Sequence, residues 1–219
     1  MSHFDVKSLF VKVGEKPLLS GISFRALSGQ TVSLSGQNGS GKTSLLKVLC
    51  GICLPLEGTM SYTKKDCKKV FFSNEPQFIA NLTALKNISL YSLFYGTPFD
   101  KKNSLVIFEK YLPLSCAHLQ VKALSTGQKR LLSFVLIEIL SPHLIFLDEP
   151  THGLDQIGLE KFFNLLQIMK KQKSSIFFIA THDKDILRRS DQVLDVEKYK
   201  FKAYGNTSSL SSLISKMEL

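Results

Sequence analysis

Several features that would place a chain outside the ordinary globular class are missing from this 219-residue sequence. No N-terminal stretch joins a charged start to an apolar run, which argues against a secretory leader and predicts a chain that stays in the cytosol. The longest apolar region, residues 131–147, is broken by Glu138, Pro142 and His143, which excludes a membrane span. Internal repeats and low-complexity linkers are absent. Cysteine is scarce, with four residues at Cys50, Cys53, Cys67 and Cys116. Cys50 and Cys53 form a C-x-x-C, but no second pair and no histidine pair supplies the other ligands of a zinc site, so packing is the expected role. Acidic residues are also short, 18 against 28 basic, for a formal net charge of +10. That excess suits nucleic acid, an anionic membrane face or a lysine-rich proteome. The lysines at 64, 65, 68 and 69 and at 170, 171 and 173 lack the interleaved aromatics of a strand-binding groove, so solvated faces are expected.

What is present is ordinary in bulk and specific in detail. An apolar content of 44% with 21% charge is that of one well-packed domain. Within it, Gly36-Gln37-Asn38-Gly39-Ser40-Gly41-Lys42-Thr43 spells G-x-x-x-x-G-K-T between the apolar Thr31-Val32-Ser33-Leu34 and a helical run from Ser44. Glycines there allow positive φ, so successive N–H groups turn inward around an anion. The helix that follows points its positive end at the same phosphates. Lys42 is expected on the β- and γ-phosphates of a nucleotide and the Thr43 hydroxyl on Mg²⁺.

Further along, the chain alternates buried strands with helices, which predicts a parallel sheet whose functional residues sit at strand carboxyl ends. The apolar run Leu144-Ile145-Phe146-Leu147 ends in Asp148-Glu149-Pro150, and a second run, 175–180, ends in Thr181-His182-Asp183. Asp148 is placed to hold Mg²⁺ opposite Thr43, and Glu149 to deprotonate water; taken alone, such a pair is as often a helix cap. His182 alone reads equally as a core histidine or a γ-phosphate contact. Ser125-Thr126-Gly127-Gln128 precedes a helix read over 129–140 and offers a second anion site. Two anion sites far apart in one chain suit a head-to-tail dimer. Helical patterning over about 78–124 predicts an inserted subdomain, and the spacing of Leu210, Leu213, Ile214 and Met217 predicts a C-terminal helix.

The phosphate loop, L-S-x-G-Q, L-I-F-L-D-E-P and T-H-D, in this order, resemble the ATP-binding-cassette (ABC) ATPases over essentially the whole chain. Ser125 to Asp148 is 148 − 125 = 23 positions and Asp148 to His182 is 182 − 148 = 34, both similar to the family. The resemblance implies an α/β phosphate-loop NTPase fold in one domain, 1–219. That fold has a mainly parallel central sheet, an N-terminal antiparallel β subdomain and the inserted helices. It implies ATP and Mg²⁺ as ligands, Gly36 through Thr43 and Ser44 as the ATP-binding segment, Glu149 as catalytic base and His182 as the switch histidine. It also implies residues 125–128 as a contact to ATP on the opposite subunit, Asp155 as a dimer contact, and Gln77 or Glu75 as a further Mg²⁺ ligand. Thr126 departs from the usual glycine, and Val13 stands where an aromatic usually stacks on adenine, leaving Phe10 as another contact. A homodimer beneath a separate integral-membrane permease is expected, on the cytoplasmic face of the inner membrane and without nucleic acid. Residues 18–24 and Leu82-Thr83-Ala84-Leu85-Lys86-Asn87 are similar to the haem-exporter ATPase of cytochrome c maturation, with a transporter of a drug, lipid or metal as the alternative and, behind it, a soluble ABC protein that transports nothing.

Overall fold

Two sheets divide the work in the computed structural model, which describes residues 2–14 and 16–200. Strands β1 (His3–Val13), β2 (Lys16–Leu27) and β4 (Glu57–Tyr62) form an antiparallel sheet in the order β2-β1-β4. Their alternating burial fits one packed face and one wet face. A second sheet has the order β5-β6-β7-β3-β8, from β3 (Thr31–Ser35), β5 (Lys69–Phe72), β6 (Leu144–Asp148), β7 (Ile176–Ala180) and β8 (Gln192–Asp195). Its paired strands all run parallel. Every residue of β6 and β7 is buried, as a strand covered on both faces requires.

Period-2 alternation splits those strands between two cores. Ile145, Leu147, Phe177 and Ile179 face α2 (Ala84–Phe94), α3 (Lys101–Tyr111), α4 (Thr126–Leu140) and α5 (Gln156–Lys173). Leu144, Phe146, Ile176 and Phe178 face α1 (Lys42–Cys50) and the antiparallel sheet. Phe178 stacks on Phe146 at 4.9 Å and meets the edge of Phe4 at 5.2 Å, joining the two sheets through one aromatic cluster.

The parallel sheet, the antiparallel β layer and the helices between β5 and α4 are therefore all present. Differences lie at the ends. The helix read from Lys129 begins at Thr126, because Ser125 and Gln128 form a reciprocal capping box. Short α6 (Lys184–Arg189), capped by Asp183, and the edge strand β8 have no counterpart in the patterning. Of the C-x-x-C pair, Cys50 packs into the core, where burial pushes its thiol up to about 11, but Cys53 is exposed. The helix read around Leu210 to Met217 lies outside the described residues. No helix among the described residues is long and apolar enough to cross a membrane.

Candidate functional site

The strand order β6-β7-β3 makes neighbours of three loops that are far apart in sequence. Leu34 pairs with Ala180, and Ala180 with Asp148, so the three strands end at one level. Two backbone bonds carry the ladder past the ends: Thr181 N donates to Leu34 O (3.1 Å) and Glu149 N to Ala180 O (2.8 Å). Ligand crevices of open α/β sheets form at such carboxyl ends.

Between β3 and α1, Gly36, Gly39 and Gly41 have φ of 147°, 79° and 106°. At those φ values any side chain is strained, and a Cβ on Gly36 would also lie 2.6 Å from Ser40 Oγ and one on Gly41 2.8 Å from Leu18 Cδ2, so either substitution would force its neighbour to move. Lys42 is buried, and its Nζ donates to Gly36 O (2.8 Å) and Gln37 O (3.1 Å). The ammonium is thus held inside the loop it serves. Glu197 steadies the loop from outside by accepting from Gln37 N at 3.2 Å.

Thr43 donates through its hydroxyl to Asp148 Oδ2 at 2.9 Å. Burial pushes the Asp148 carboxyl up, while the Thr43 bond and the nearby Lys42 and Lys47 pull it down. A hydroxyl and a carboxylate side by side are hard oxygen donors, the set that suits Mg²⁺. Neither Asp148 nor Glu149 caps a helix; the caps of α5 and α6 are Asp155 and Asp183. Glu149 has φ 46°, a left-handed conformation uncommon for a non-glycine residue and worth attention beside a site. Its carboxylate accepts from Thr181 Oγ1 (3.3 Å) and lies 3.0 Å from His182 Nδ1. The His182 side chain is 73% exposed, which removes the core-histidine reading.

Lys42, Thr43, Asp148 and Glu149 line one cleft of about 450 Å³ together with Val13, Leu18, Asn38 and Asn74. His182 does not line it and meets it only through its contact with the Glu149 carboxylate. Val13 and Leu18 make its apolar wall; Phe10 does not line it. Neither do Glu75 and Gln77, and the Gln77 amide instead donates to Glu75 O at 3.2 Å. Asn74 and Leu18 are lining residues that motif reading missed, because neither belongs to a motif and contacts between distant segments bring them to the cleft. None of residues 125–128 lines the cleft.

Those four residues form a separate site at the start of α4. Ser125 Oγ accepts from Gln128 N (3.1 Å) and Gln128 Oε1 from Ser125 N (2.9 Å). The Thr126 and Gly127 N–H groups, in the first turn, have no intrahelical carbonyl to bond and suit an anion. Gly127 packs on the loop after Glu149: a Cβ there would lie 2.8 Å from Gly153 O, a backbone atom. Gly127→Ala is therefore expected to cost about 1–3 kcal/mol, read as a lowered midpoint in thermal denaturation. An unchanged midpoint would contradict this packing. Asp155, exposed, accepts from Gly158 N at 2.7 Å to cap α5.

A phosphate loop, an acid pair and a histidine on adjacent strand ends define a nucleotide-binding cassette, and the chain matches the ABC transporter family over residues 19–152. It belongs to that family. It is 33% identical to the zinc import ATP-binding protein ZnuC of Wigglesworthia glossinidia brevipalpis, over 98% of this chain and 91% of that one. To the cytochrome c biogenesis ATP-binding export protein CcmA of Nitrosococcus oceani it is 30% identical, over 75% and 79%. Among solved structures, the dimeric ADP- and phosphate-bound cassette MJ0796 has a TM-score of 0.76 at 24% identity, covering 93% of this chain and all of that one.

Proposed function

We propose that this chain is the ATP-hydrolysing subunit of a membrane transporter, working as a homodimer on a separate integral-membrane permease. One observation carries the reading. Lys42, the Thr43–Asp148 pair and Glu149, which His182 touches from outside, share a cleft from which residues 125–128 of the same chain are missing. The loop at residues 36–44 then binds the phosphates of ATP, and Thr43 with Asp148 holds Mg²⁺. When bound, that ion offsets negative charge between the phosphates. Glu149 takes the proton of the attacking water, and His182 orients the Glu149 carboxylate and reaches toward the γ-phosphate. Residues 125–128 of the second copy complete the pocket, with Asp155 at the contact between copies.

Phosphoryl transfer of this kind is positioning plus charge stabilisation, which suits groups supplied from two subunits. Location at the cytoplasmic face of the inner membrane, through the permease and without nucleic acid, follows from the reading. Purification from solubilised membranes is expected to bring down an integral-membrane subunit; recovery of a ribosomal or other soluble partner alone would contradict it.

For the cargo, haem export in cytochrome c maturation is supported by residues 18–24 and 82–87 and by the likeness to CcmA. A metal is the second reading, because the likeness to ZnuC covers more of the chain at higher identity. Stimulation of the purified complex's ATPase by haem, or by zinc presented with its carrier protein, separates the two.

A further inference from the structure

Residues 192–200 lie against the phosphate loop. Strand β8 pairs with β3 as far as Asp195 opposite Ser35, the residue before Gly36. Asp195 Oδ1 then accepts from Glu197 N at 3.1 Å and caps a single 3-10 turn, Val196–Tyr199, anchored by the fully buried Val196. This turn carries Glu197 to the loop, its Cγ 3.6 Å from where a Cβ on Gly36 would lie. The two carboxylate oxygens have separate partners. Oε2 pairs with Lys200 Nζ at 2.5 Å, and Oε1 accepts from Gln37 N at 3.2 Å. Lys200 above all, with the Gln37 N–H and Lys42 behind it, holds the carboxyl below its usual range against some desolvation.

The Gly36 carbonyl and the Gln37 N–H belong to one planar peptide unit and point in opposite directions. Gly36, at φ 147°, has no side chain to fix that plane, so hydrogen bonds must do it. Lys42 Nζ holds the carbonyl end at 2.8 Å, and Glu197 holds the N–H end. We propose that Glu197 is a positioning residue for nucleotide binding: by fixing this peptide it sets where the Lys42 ammonium stands to meet the β-phosphate. Glu197 does not line the cleft, so it acts through the peptide and not by contact with the nucleotide. The inference rests on the ATPase reading and ties the edge strand β8 to phosphate affinity.

Nucleotide titrations and steady-state hydrolysis on the full chain test it. Glu197→Ala is expected to weaken ATP and ADP alike by roughly three- to tenfold, the range of one hydrogen bond's net contribution. KM for ATP should rise by the same factor with kcat within about twofold, as loss of uniform binding gives. Two conservative variants separate reach from charge. Glu197→Gln keeps an acceptor oxygen at the Gln37 N–H and should restore affinity. Glu197→Asp keeps the charge but falls a methylene short, and should not. In the Lys42→Ala background, Glu197→Ala should add nothing further, because its effect runs through that ammonium. A lowered melting temperature with affinity and KM intact, rescue by Asp but not by Gln, or the full loss persisting without Lys42 would each overturn the assignment. A wild-type chain that binds neither nucleotide would overturn the ATPase reading itself, and this inference with it.

Discussion

Glu149→Gln is expected to lower ATP turnover by about 10²–10⁴-fold, the usual contribution of a positioned general base, while leaving ATP bound. Glutamine keeps the size of the side chain and an oxygen that accepts from Thr181, where Glu149 now accepts at 3.3 Å. It cannot take a proton from water. Losing one negative charge beside the phosphates also removes a repulsion, so the ATP-bound assembly should persist. Steady-state hydrolysis and light scattering on the same sample check both halves. Turnover at the wild-type rate would show that Glu149 is not the base. His182→Ala should fall in the same direction, because the imidazole lies 3.0 Å from the carboxylate it would orient.

Lys42→Ala is expected to weaken ATP binding by roughly 10–100-fold, from the loss of charge-assisted bonds to phosphate. The same substitution strips two internal bonds, to Gly36 O and Gln37 O, so the loop loses an organising centre as well as a charge. Lys42→Arg should not rescue it. A compact ammonium fits between those two carbonyls, and a planar fork does not. Equilibrium nucleotide binding decides this, and near wild-type affinity for Lys42→Ala would remove the lysine from the site.

Much of this site was legible because its parts obey local rules. The phosphate loop announces itself through glycines whose φ values are now seen to be positive, and the runs before Asp148 and Thr181 read as buried strands because they are covered on both faces. Two alternatives that sequence alone left open are closed by geometry. The Asp148 carboxylate bonds Thr43 and caps nothing, and His182 is exposed.

What was hidden depends on contacts between distant segments. Asn74 reaches the cleft because Arg130, 56 positions later, holds the turn it sits in. Leu18 becomes a cleft wall only when β2 is laid against the loop at Gly41. Strand β8 is four residues long with exposed Val193 at its centre, so neither length nor alternation marks it; pairing with β3 makes it a strand. The start of α4 moved for a different reason, since a capping box is a side-chain exchange that apolar periodicity does not register.

The central claim is that the loop of one copy is completed by residues 125–128 of another. It is tested most directly by mixing two inactive variants, Lys42→Ala and Ser125→Arg. In a two-fold dimer formed from one of each, one site carries both lesions and the other carries neither. The account predicts that each variant alone is inactive and that mixing restores ATP hydrolysis. A mixture as silent as its components, or full activity in Ser125→Arg alone, would contradict it.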